Sequence, residues 1–149
     1  MGLAAGAFLN LGYHGPIMSR KVISTGQAPA AIGPYSQAIQ CGNLLFCSGQ
    51  IPLDPTTGEF VGRGDIRAQT VRVMENLGAV LNEAGVGFDA IAKATIFLTS
   101  LDDFAAVNDV YAGYFGNLEE APARACVQVS ALPKAADVEV EAIAVLPTR

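Results

Sequence analysis

Histidine is nearly absent from this chain of 149 residues, and the single one, His14, lies close to the N-terminus. Catalysis by Ser-His-Asp or Cys-His groups needs a histidine base beside the nucleophile. Most zinc and iron sites in proteins also use histidine ligands. The chain beyond residue 20 is therefore expected to carry neither kind of catalytic group and no common metal site.

Charged residues are also scarce: they make up 15% of the chain, whereas 51% of the residues are hydrophobic. A typical soluble domain is about 25% charged, so a monomer of this composition would cover its surface poorly. We therefore expect part of the surface to be buried against other subunits; a monomer with many surface alanines and glycines is the alternative. No apolar run approaches the roughly 18 residues of a membrane-spanning helix, so no membrane partner is expected.

Basic residues do not form a cluster. The formal net charge is −5, and the only adjacent basic pair is Arg20-Lys21. Phosphate backbones repel such a chain, because nucleic-acid binding normally uses a patch of lysine and arginine. No nucleic-acid partner is expected.

Cysteine is present three times, as Cys41, Cys47 and Cys126. The number is odd and no Cys-x-x-Cys pair occurs, which indicates neither a disulfide framework nor a zinc knuckle. This usage fits a reducing compartment such as the cytoplasm. GxGxxG and Walker sequences are also missing, so no nucleotide cofactor is expected.

The first 20 residues are expected to form an N-terminal extension outside the core. The segment starts with an apolar patch but has no basic n-region, and its first arginine is Arg20. That pattern matches neither a secretory signal nor a mitochondrial transit peptide, and Met18 is a candidate natural start. A single domain is then predicted for residues 21–149.

The first half of this domain is predicted to hold three strands and a helix. The strands are 21–24, 35–40 and 44–49, separated by a Pro/Gly-rich loop and a Cys-Gly-Asn turn. Asp65 is the predicted N-cap of the helix, whose apolar residues follow i, i+3, i+4 spacing, and Gly85 is the predicted stop.

The second half is predicted to hold a strand at 91–98, a helix and two terminal strands. Ser100 and Asp103 have capping-box spacing at the start of the helix, and Gly116 ends it. Its predicted inner stripe is Phe104, Val107, Tyr111 and Phe115. Residues 121–145 give two apolar strands around a Leu-Pro-Lys turn. The order β-β-β-α-β-α-β-β predicts a single two-layer α+β domain, with helices on one sheet face and the other face buried against neighbouring subunits.

Arg124 is the most prominent candidate for a functional side chain, because it is a lone charge in an apolar strand. Its guanidinium suits two-point binding of a carboxylate or phosphate. A structural ion pair with Glu139 or another acid is the alternative. Cys126 shares the face of Arg124, since side chains alternate along a strand. Without a histidine base Cys126 is interpreted as a pocket wall rather than a nucleophile.

Glu139 lies between Val138 and Val140 and points away from them. A carboxylate in such a strand can orient a water molecule or act as a general base. A salt bridge or a solvated sheet face remains the alternative, and Glu141 shares the same face.

Asn108 and Tyr35 are further candidates for binding. Asn108 lies on the predicted inner face of the second helix and must find hydrogen-bond partners, which a local backbone contact supplies as well as a substrate. Tyr35 follows a rigid Gly-Pro turn, where an ordinary packing role is the alternative.

Several stretches together resemble the RidA/YjgF family of enamine/imine deaminases, over about residues 21–145. They are APAAIGPYSQ at 28–37, SGQIP at 48–52, FAAVN at 104–108 and, most specific, PARACV at 122–127 with VEV at 138–140. The resemblance implies an α+β fold like that of the Bacillus-type chorismate mutase. It also implies a homotrimer whose sheets form a central barrel, with three clefts between subunits.

The activity implied by the resemblance is hydrolysis of reactive 2-imino or enamino acids, typically 2-iminobutanoate and 2-iminopropanoate, to 2-oxo acids and ammonia. Such an enzyme limits metabolite damage and uses no metal or cofactor. Arg124 would grip the substrate carboxylate, and Glu139 would hold or polarise the attacking water. The implied lining of the cleft is Tyr35, Gly49, Asn108 and Cys126. A non-catalytic sensor of small 2-oxo acids that uses Arg124 is the alternative, and an endoribonuclease, which the acidic charge disfavours, is another.

Overall fold

A six-stranded mixed sheet runs through the protein in a computed structural model, which describes residues 19–148. The strands are β1 (Arg20–Ile23), β2 (Ala38–Cys41), β3 (Leu44–Gln50), β4 (Ile91–Leu98), β5 (Ala123–Gln128) and β6 (Val138–Val145). Their order across the sheet is β1-β2-β3-β6-β4-β5, and only the β4–β5 pair is parallel. The predicted α+β class and the predicted element order are confirmed.

The predicted N-terminal extension lies outside the described residues up to residue 18. Arg20, its last residue, already belongs to β1 and pairs with Cys41 of β2. Between residues 19 and 148, no helix combines the length and the apolar character needed to cross a membrane.

Two helices, α1 (Ile66–Glu83) and α2 (Phe104–Ala112), pack on one face of the sheet. The inner side chains Val73, Leu77 and Val80 of α1 and Val138 and Val140 of β6 are completely buried. Burying a side chain of this size contributes about 1.5–3 kcal/mol. This packing fixes β6 under α1, and alternation along the strand then sends Glu139 to the opposite face.

The boundaries of α1 agree with the predicted ones. The Asp65 side chain accepts a hydrogen bond from the Ala68 N–H at 3.0 Å, as expected of an N-cap. At the other end Gly85 takes a φ of 85°, a left-handed conformation that glycine adopts without strain.

The predicted start and end of the second helix are both shifted in the structure. A 3₁₀ turn, Leu101–Asp103, precedes α2, and Ser100 caps that turn by accepting from the Asp102 N–H at 3.2 Å. The Asp103 side chain makes no capping hydrogen bond, so the predicted capping box is wrong. The helix stops at Gly113 rather than Gly116, because the last residues turn into a tighter i to i+3 pattern.

Strand β2 begins three residues later than predicted, and this places Tyr35 in a loop. The Gln37 side chain holds that loop: its Oε1 accepts from the Thr25 N–H at 2.7 Å, and its Nε2 donates to the Pro29 carbonyl at 2.8 Å. Strand β3 is one residue longer than predicted and has an irregular register between Cys47 and Gln50.

The two terminal strands are not neighbours, because β4 lies between β5 and β6. Strand β5 pairs with β4 in parallel and forms the edge of the sheet. The Leu-Pro-Lys segment therefore carries the chain across β4 to a central position in the sheet, rather than closing a hairpin.

The second face of the sheet is covered by neither helix and carries large apolar side chains. Leu44, Phe46, Val127 and Val145 are each 38–43% exposed. Phe46 pairs with Ile143 across β3 and β6, which extends the apolar surface over the central strands. A face of this kind is typical of a surface that another protein chain covers.

Candidate active site

The Arg124 side chain lies on the helix-covered side of β5, where α2 supplies its partner. Its Nη1 donates a hydrogen bond of 2.7 Å to Oδ1 of Asn108. No other hydrogen bond or carboxylate within residues 19–148 engages the guanidinium. The inward orientation predicted for Asn108 is confirmed, and one side of the guanidinium fork is left for a further acceptor.

Two aromatic rings flank the same guanidinium. The Arg124 Cζ atom lies 5.0 Å from the ring centroid of Tyr111 and 5.7 Å from that of Phe104, both within cation–π range. Phe104 is 40% exposed, so its predicted place in the inner stripe is wrong, whereas Val107, Tyr111 and Phe115 are buried as expected. The rings and Asn108 restrict the orientation of the guanidinium before any ligand binds.

The Tyr111 hydroxyl is buried and, among the described residues, has no hydrogen-bond partner. Burial raises the pKa of this phenol, and the charge of Arg124 opposes the shift. Sequence reasoning missed this residue as part of the site, although its spacing of three residues from Asn108 on a helix was the available signal.

Cys126 follows Arg124 by two residues on the same face of β5. Burial raises the pKa of its thiol, and the nearby Arg124 charge partly opposes that shift. The thiol therefore stays protonated at neutral pH, which suits a wall and not a nucleophile. A cavity of about 360 Å³ is lined in part by Asn108, Tyr111 and Arg124, and the lining that these residues form does not include Cys126.

The Glu139 side chain lies in a different cavity, of about 530 Å³, on the uncovered side of the sheet. Its lining includes Tyr35, Ser48, Gly49 and Glu139. A Cβ atom added at Gly49 would lie 2.8 Å from Cδ of Glu139, closer than real Cβ contacts allow. Only glycine at this position leaves the carboxylate where it is.

Tyr35 forms an exposed rim of this cavity, with 54% of its surface accessible. Its N–H donates to the Gly33 carbonyl at 2.9 Å, and Gly33 has a φ of 123°. The tight turn predicted before Tyr35 is present, and it directs the ring to the cavity that also holds Glu139.

The pKa of the Glu139 carboxylate is raised above that of an ordinary glutamate. Burial is the main cause of its raised pKa, and the negative charge of Glu141 adds to it. No donor within residues 19–148 hydrogen-bonds to this carboxylate, so none of these residues offsets the desolvation with a hydrogen bond. Such a group accepts a proton more readily than an ordinary surface glutamate.

Arg124 and Glu139 lie on opposite faces of one sheet. Arg124 is in register with Ala94 of β4, which is buried under the helices, whereas Glu139 is in register with Phe97, three residues further along β4. Paired residues share a face and an odd spacing reverses it. A single chain therefore cannot bring the two together, and the alternative of an ion pair between them within one chain is wrong.

The six predicted site residues thus form two groups. We call Asn108, Arg124 and Cys126 the arginine half-site, and Tyr35, Gly49 and Glu139 the glutamate half-site. A larger cavity of about 820 Å³ elsewhere has Asp89 as the only ionisable side chain among the described residues that line it, so these residues offer no pair of reactive groups there. In the part of the chain that the structure describes, no cluster of three His, Cys, Asp or Glu side chains is arranged to hold a metal ion.

Comparisons of sequence and structure identify proteins that are similar to this chain. Residues 25–146 match the sequence profile described as Endoribonuclease L-PSP. A RutC family protein of Synechocystis is 51% identical over 131 residues, which cover 88% of this chain and 100% of the relative. The 2-iminobutanoate/2-iminopropanoate deaminase of mouse is 49% identical over 127 residues, covering 85% and 91%. The crystal structure of Escherichia coli TdcF with bound serine has a TM-score of 0.79 at 45% identity, covering 85% of this chain and 99% of that one.

Proposed function

Because this chain belongs to the Endoribonuclease L-PSP family, which includes its RutC and RidA relatives, we propose that it hydrolyses the C=N bond of small 2-imino acids. The products are a 2-oxo acid and ammonia, and 2-iminobutanoate and 2-iminopropanoate are the expected substrates. The mouse deaminase that it resembles at 49% identity is named for these two compounds.

The observation that carries this proposal is the separation of the two half-sites on one chain. Each half offers one element of imine hydrolysis: an oriented cation for the substrate carboxylate, and a carboxylate of high proton affinity for water. The apolar uncovered face supplies a surface on which copies of the chain can associate. We propose a homotrimer in which the arginine half-site of one subunit faces the glutamate half-site of the next.

Arg124 binds the substrate carboxylate through the part of its fork that Asn108 does not occupy. The rings of Phe104 and Tyr111 hold the guanidinium, so little side-chain entropy is lost on binding. Fixing the carboxylate fixes C2 of the substrate next to it. Cys126 and Tyr35 act as walls that limit the size of the substrate side chain.

Glu139 takes a proton from a water molecule as the water oxygen attacks C2 of the protonated imine. The π electrons of the C=N bond move to nitrogen, which gives a neutral amine on a tetrahedral carbon. Glu139 then returns the proton to that nitrogen, and the C–N bond breaks to release ammonia. The C2 hydroxyl gives its proton to Glu139 as the 2-oxo acid forms, and Glu139 releases this proton to solvent. The protonated imine is already electrophilic, so positioning supplies much of the acceleration.

An assay with imine generated in place tests the proposal. A threonine dehydratase produces 2-iminobutanoate, and its decay is followed with and without the protein. Arg124→Lys keeps the charge but loses one charge-assisted hydrogen bond of about 1.5–3 kcal/mol, so we expect KM to rise by roughly 10–100-fold. Glu139→Gln should lower kcat by about 10²–10⁴-fold and change the Kd for 2-oxobutanoate little.

The matched control for Glu139→Gln is Glu141→Gln, which removes the exposed glutamate two residues along the same face. Its kcat at neutral pH should equal that of the wild type. Wild-type protein that leaves imine decay unchanged would refute the deaminase proposal. Equal loss of kcat in the two glutamine variants would assign Glu139 a general electrostatic role instead of a base.

Binding of a small carboxylic acid without catalysis is the second candidate function. The bound serine in TdcF, an amino acid with a carboxylate, favours it for that relative. The same arginine half-site would serve, and 2-oxobutanoate binding without imine turnover is the result that would support it. Ribonuclease activity, which the family description names, has less support, because the net charge is −5.

A further inference from the structure

Two consecutive residues, Lys134 and Ala135, have left-handed backbone conformations. Their φ angles are 58° and 53°, and no other non-glycine residue between 19 and 148 has a positive φ. The left-handed region is unfavourable for an L-residue, because its Cβ atom approaches the following carbonyl oxygen. A turn with two such residues persists only where surrounding contacts hold it.

Arg63 supplies those contacts from a distant part of the chain. Its Nη2 donates to the Lys134 carbonyl at 2.9 Å, and its Nη1 donates to the Ala135 carbonyl at 3.0 Å. The guanidinium also stacks on Phe60, with Cζ 3.4 Å from the ring centroid. One arginine thus holds both strained peptide groups, in an orientation that the ring fixes.

A buried glutamine connects the segment that contains Arg63 to the residue that precedes β6. Gln69 of α1 is fully buried, and its Nε2 donates to the Gly62 carbonyl at 2.9 Å and to Oδ2 of Asp137 at 2.7 Å. Its Oε1 accepts from the Asp137 N–H at 3.0 Å. The turn at 134–135 is therefore held directly by Arg63 and is connected to α1 through the contact between Gln69 and Asp137.

This turn belongs to the glutamate half-site. Pro133 and Lys134 line the same cavity as Glu139, and the chain reaches Glu139 four residues after Ala135. If the turn served only to connect β5 to β6, glycine could form it without strain, because glycine adopts left-handed conformations freely. Alanine and lysine are found there instead. A strained turn that an arginine side chain holds beside a cavity indicates that the position of this cavity wall matters.

We propose that Arg63 is a positioning residue of the active site, acting through the backbone of Lys134 and Ala135 to hold one cavity wall and the start of β6. This inference rests on the proposed imine hydrolysis. The hydrogen bonds of Arg63 go to the turn of the glutamate half-site, whereas the Arg124 that binds the carboxylate in the same cleft belongs to the neighbouring subunit in the proposed assembly. Loss of Arg63 should therefore change turnover and leave carboxylate binding in place.

Steady-state kinetics of Arg63→Ala test this separation. Misplacing a reacting group by about 1 Å can cost up to 10²-fold in rate, so we expect kcat to fall by about 10-fold or more, with KM changed by less than about threefold. Arg67→Ala is the matched control: Arg67 pairs with Asp109 in an exposed salt bridge, and such pairs contribute little. Its kcat should stay at the wild-type value.

Glycine at the strained position provides a rescue that a general loss of stability would not show. Adding Ala135→Gly to Arg63→Ala should raise kcat about threefold above that of Arg63→Ala alone, because glycine takes a φ of 53° without strain. Arg63→Lys, which retains a charge but not the two-point fork, should lower kcat by a smaller factor than Arg63→Ala. This milder variant carries the same test if the alanine variant does not fold.

Amide hydrogen exchange tests the role of Arg63 without using catalytic activity, so its outcome does not depend on the proposed function. The Ala136 N–H donates to the Pro133 carbonyl at 3.1 Å and the Asp137 N–H donates to Gln69, so both amides report on the turn. They should exchange faster in Arg63→Ala than in Arg67→Ala. Unchanged exchange would overturn the inference whether or not the wild type is active. An active wild type with equal kcat in the Arg63 and Arg67 variants would also overturn it, whereas an inactive wild type refutes the proposed function itself.

Discussion

Mixing two inactive variants tests whether Arg124 and Glu139 act from different subunits. Arg124→Ala loses the carboxylate anchor and keeps the glutamate, whereas Glu139→Gln does the opposite. Because the two side chains lie on opposite faces of one sheet, neither variant can complete a site by itself. A cleft with both groups forms only where the two variants are neighbours in an assembly.

The expected recovery follows from this geometry. In the proposed assembly each cleft takes its arginine from one subunit and its glutamate from the next, so in a random equal mixture the correct pair occurs in about a quarter of the clefts. We expect the mixture to reach about 25% of wild-type activity, whereas each variant alone stays at or below about 1%. The fraction does not depend on how many subunits close the ring.

The experiment dissociates both variants in urea, refolds them together and measures imine decay, with native mass spectrometry to count mixed assemblies. Each trimer should have three times the 15.4 kDa chain mass. Wild type mixed with the double variant Arg124→Ala/Glu139→Gln is the control. It should also retain about a quarter of the activity if the site spans subunits, but about half if one chain supplies both groups. No recovery in the first mixture together with half activity in the second would refute the reasoning.

Two further predictions concern the glutamate half-site. Gly49→Ala should lower kcat by about 10²-fold with little loss of stability, because the added Cβ displaces the flexible Glu139 carboxylate and not the backbone. The control is Gly26→Ala, whose added Cβ meets no atom within 4 Å. Equal kcat in the two variants would contradict the predicted contact between Gly49 and Glu139. For pH, Glu139 must be ionised to act as a base, and its pKa is raised by burial and by Glu141. Activity should therefore fall on acidification at a higher pH than an ordinary glutamate would give, and Glu141→Gln should move this acid limb of the kcat–pH profile to lower pH.

Local signals in the sequence predict the elements of this fold well. The N-cap Asp65 and the stop Gly85 act through neighbouring backbone groups, so the ends of α1 follow from a few adjacent residues. Strand β4 is likewise bounded as predicted, by an apolar run between turn residues. The predicted start of β2 is wrong by three residues, because the loop before β2 is held by Gln37, whose partners lie 8 to 12 residues earlier in the chain.

The features that the sequence does not predict depend on contacts between distant parts of the chain. The alternation of side chains put Arg124 and Cys126 on one face of a strand, but only the position of β4 between β5 and β6 shows that Glu139 faces the other way. The left-handed conformation of Ala135 also runs against its local propensity, and the side chain that donates to its carbonyl, Arg63, lies 72 residues away in the sequence. Residues that act through such contacts leave no local pattern.

The choice between Glu139 and Glu141, which share one sheet face, follows from what surrounds each of them. Glu141 is exposed and lines a cavity together with Lys93, so a cation is available to a charge at that position. Glu139 is half-buried against Gly49, with no donor among the described residues. A carboxylate retained without compensation destabilises the chain unless another molecule completes its surroundings. On the proposed assembly that molecule is the substrate held by the neighbouring subunit, with the water that attacks it, so the electrostatic penalty at Glu139 is what provides its proton affinity.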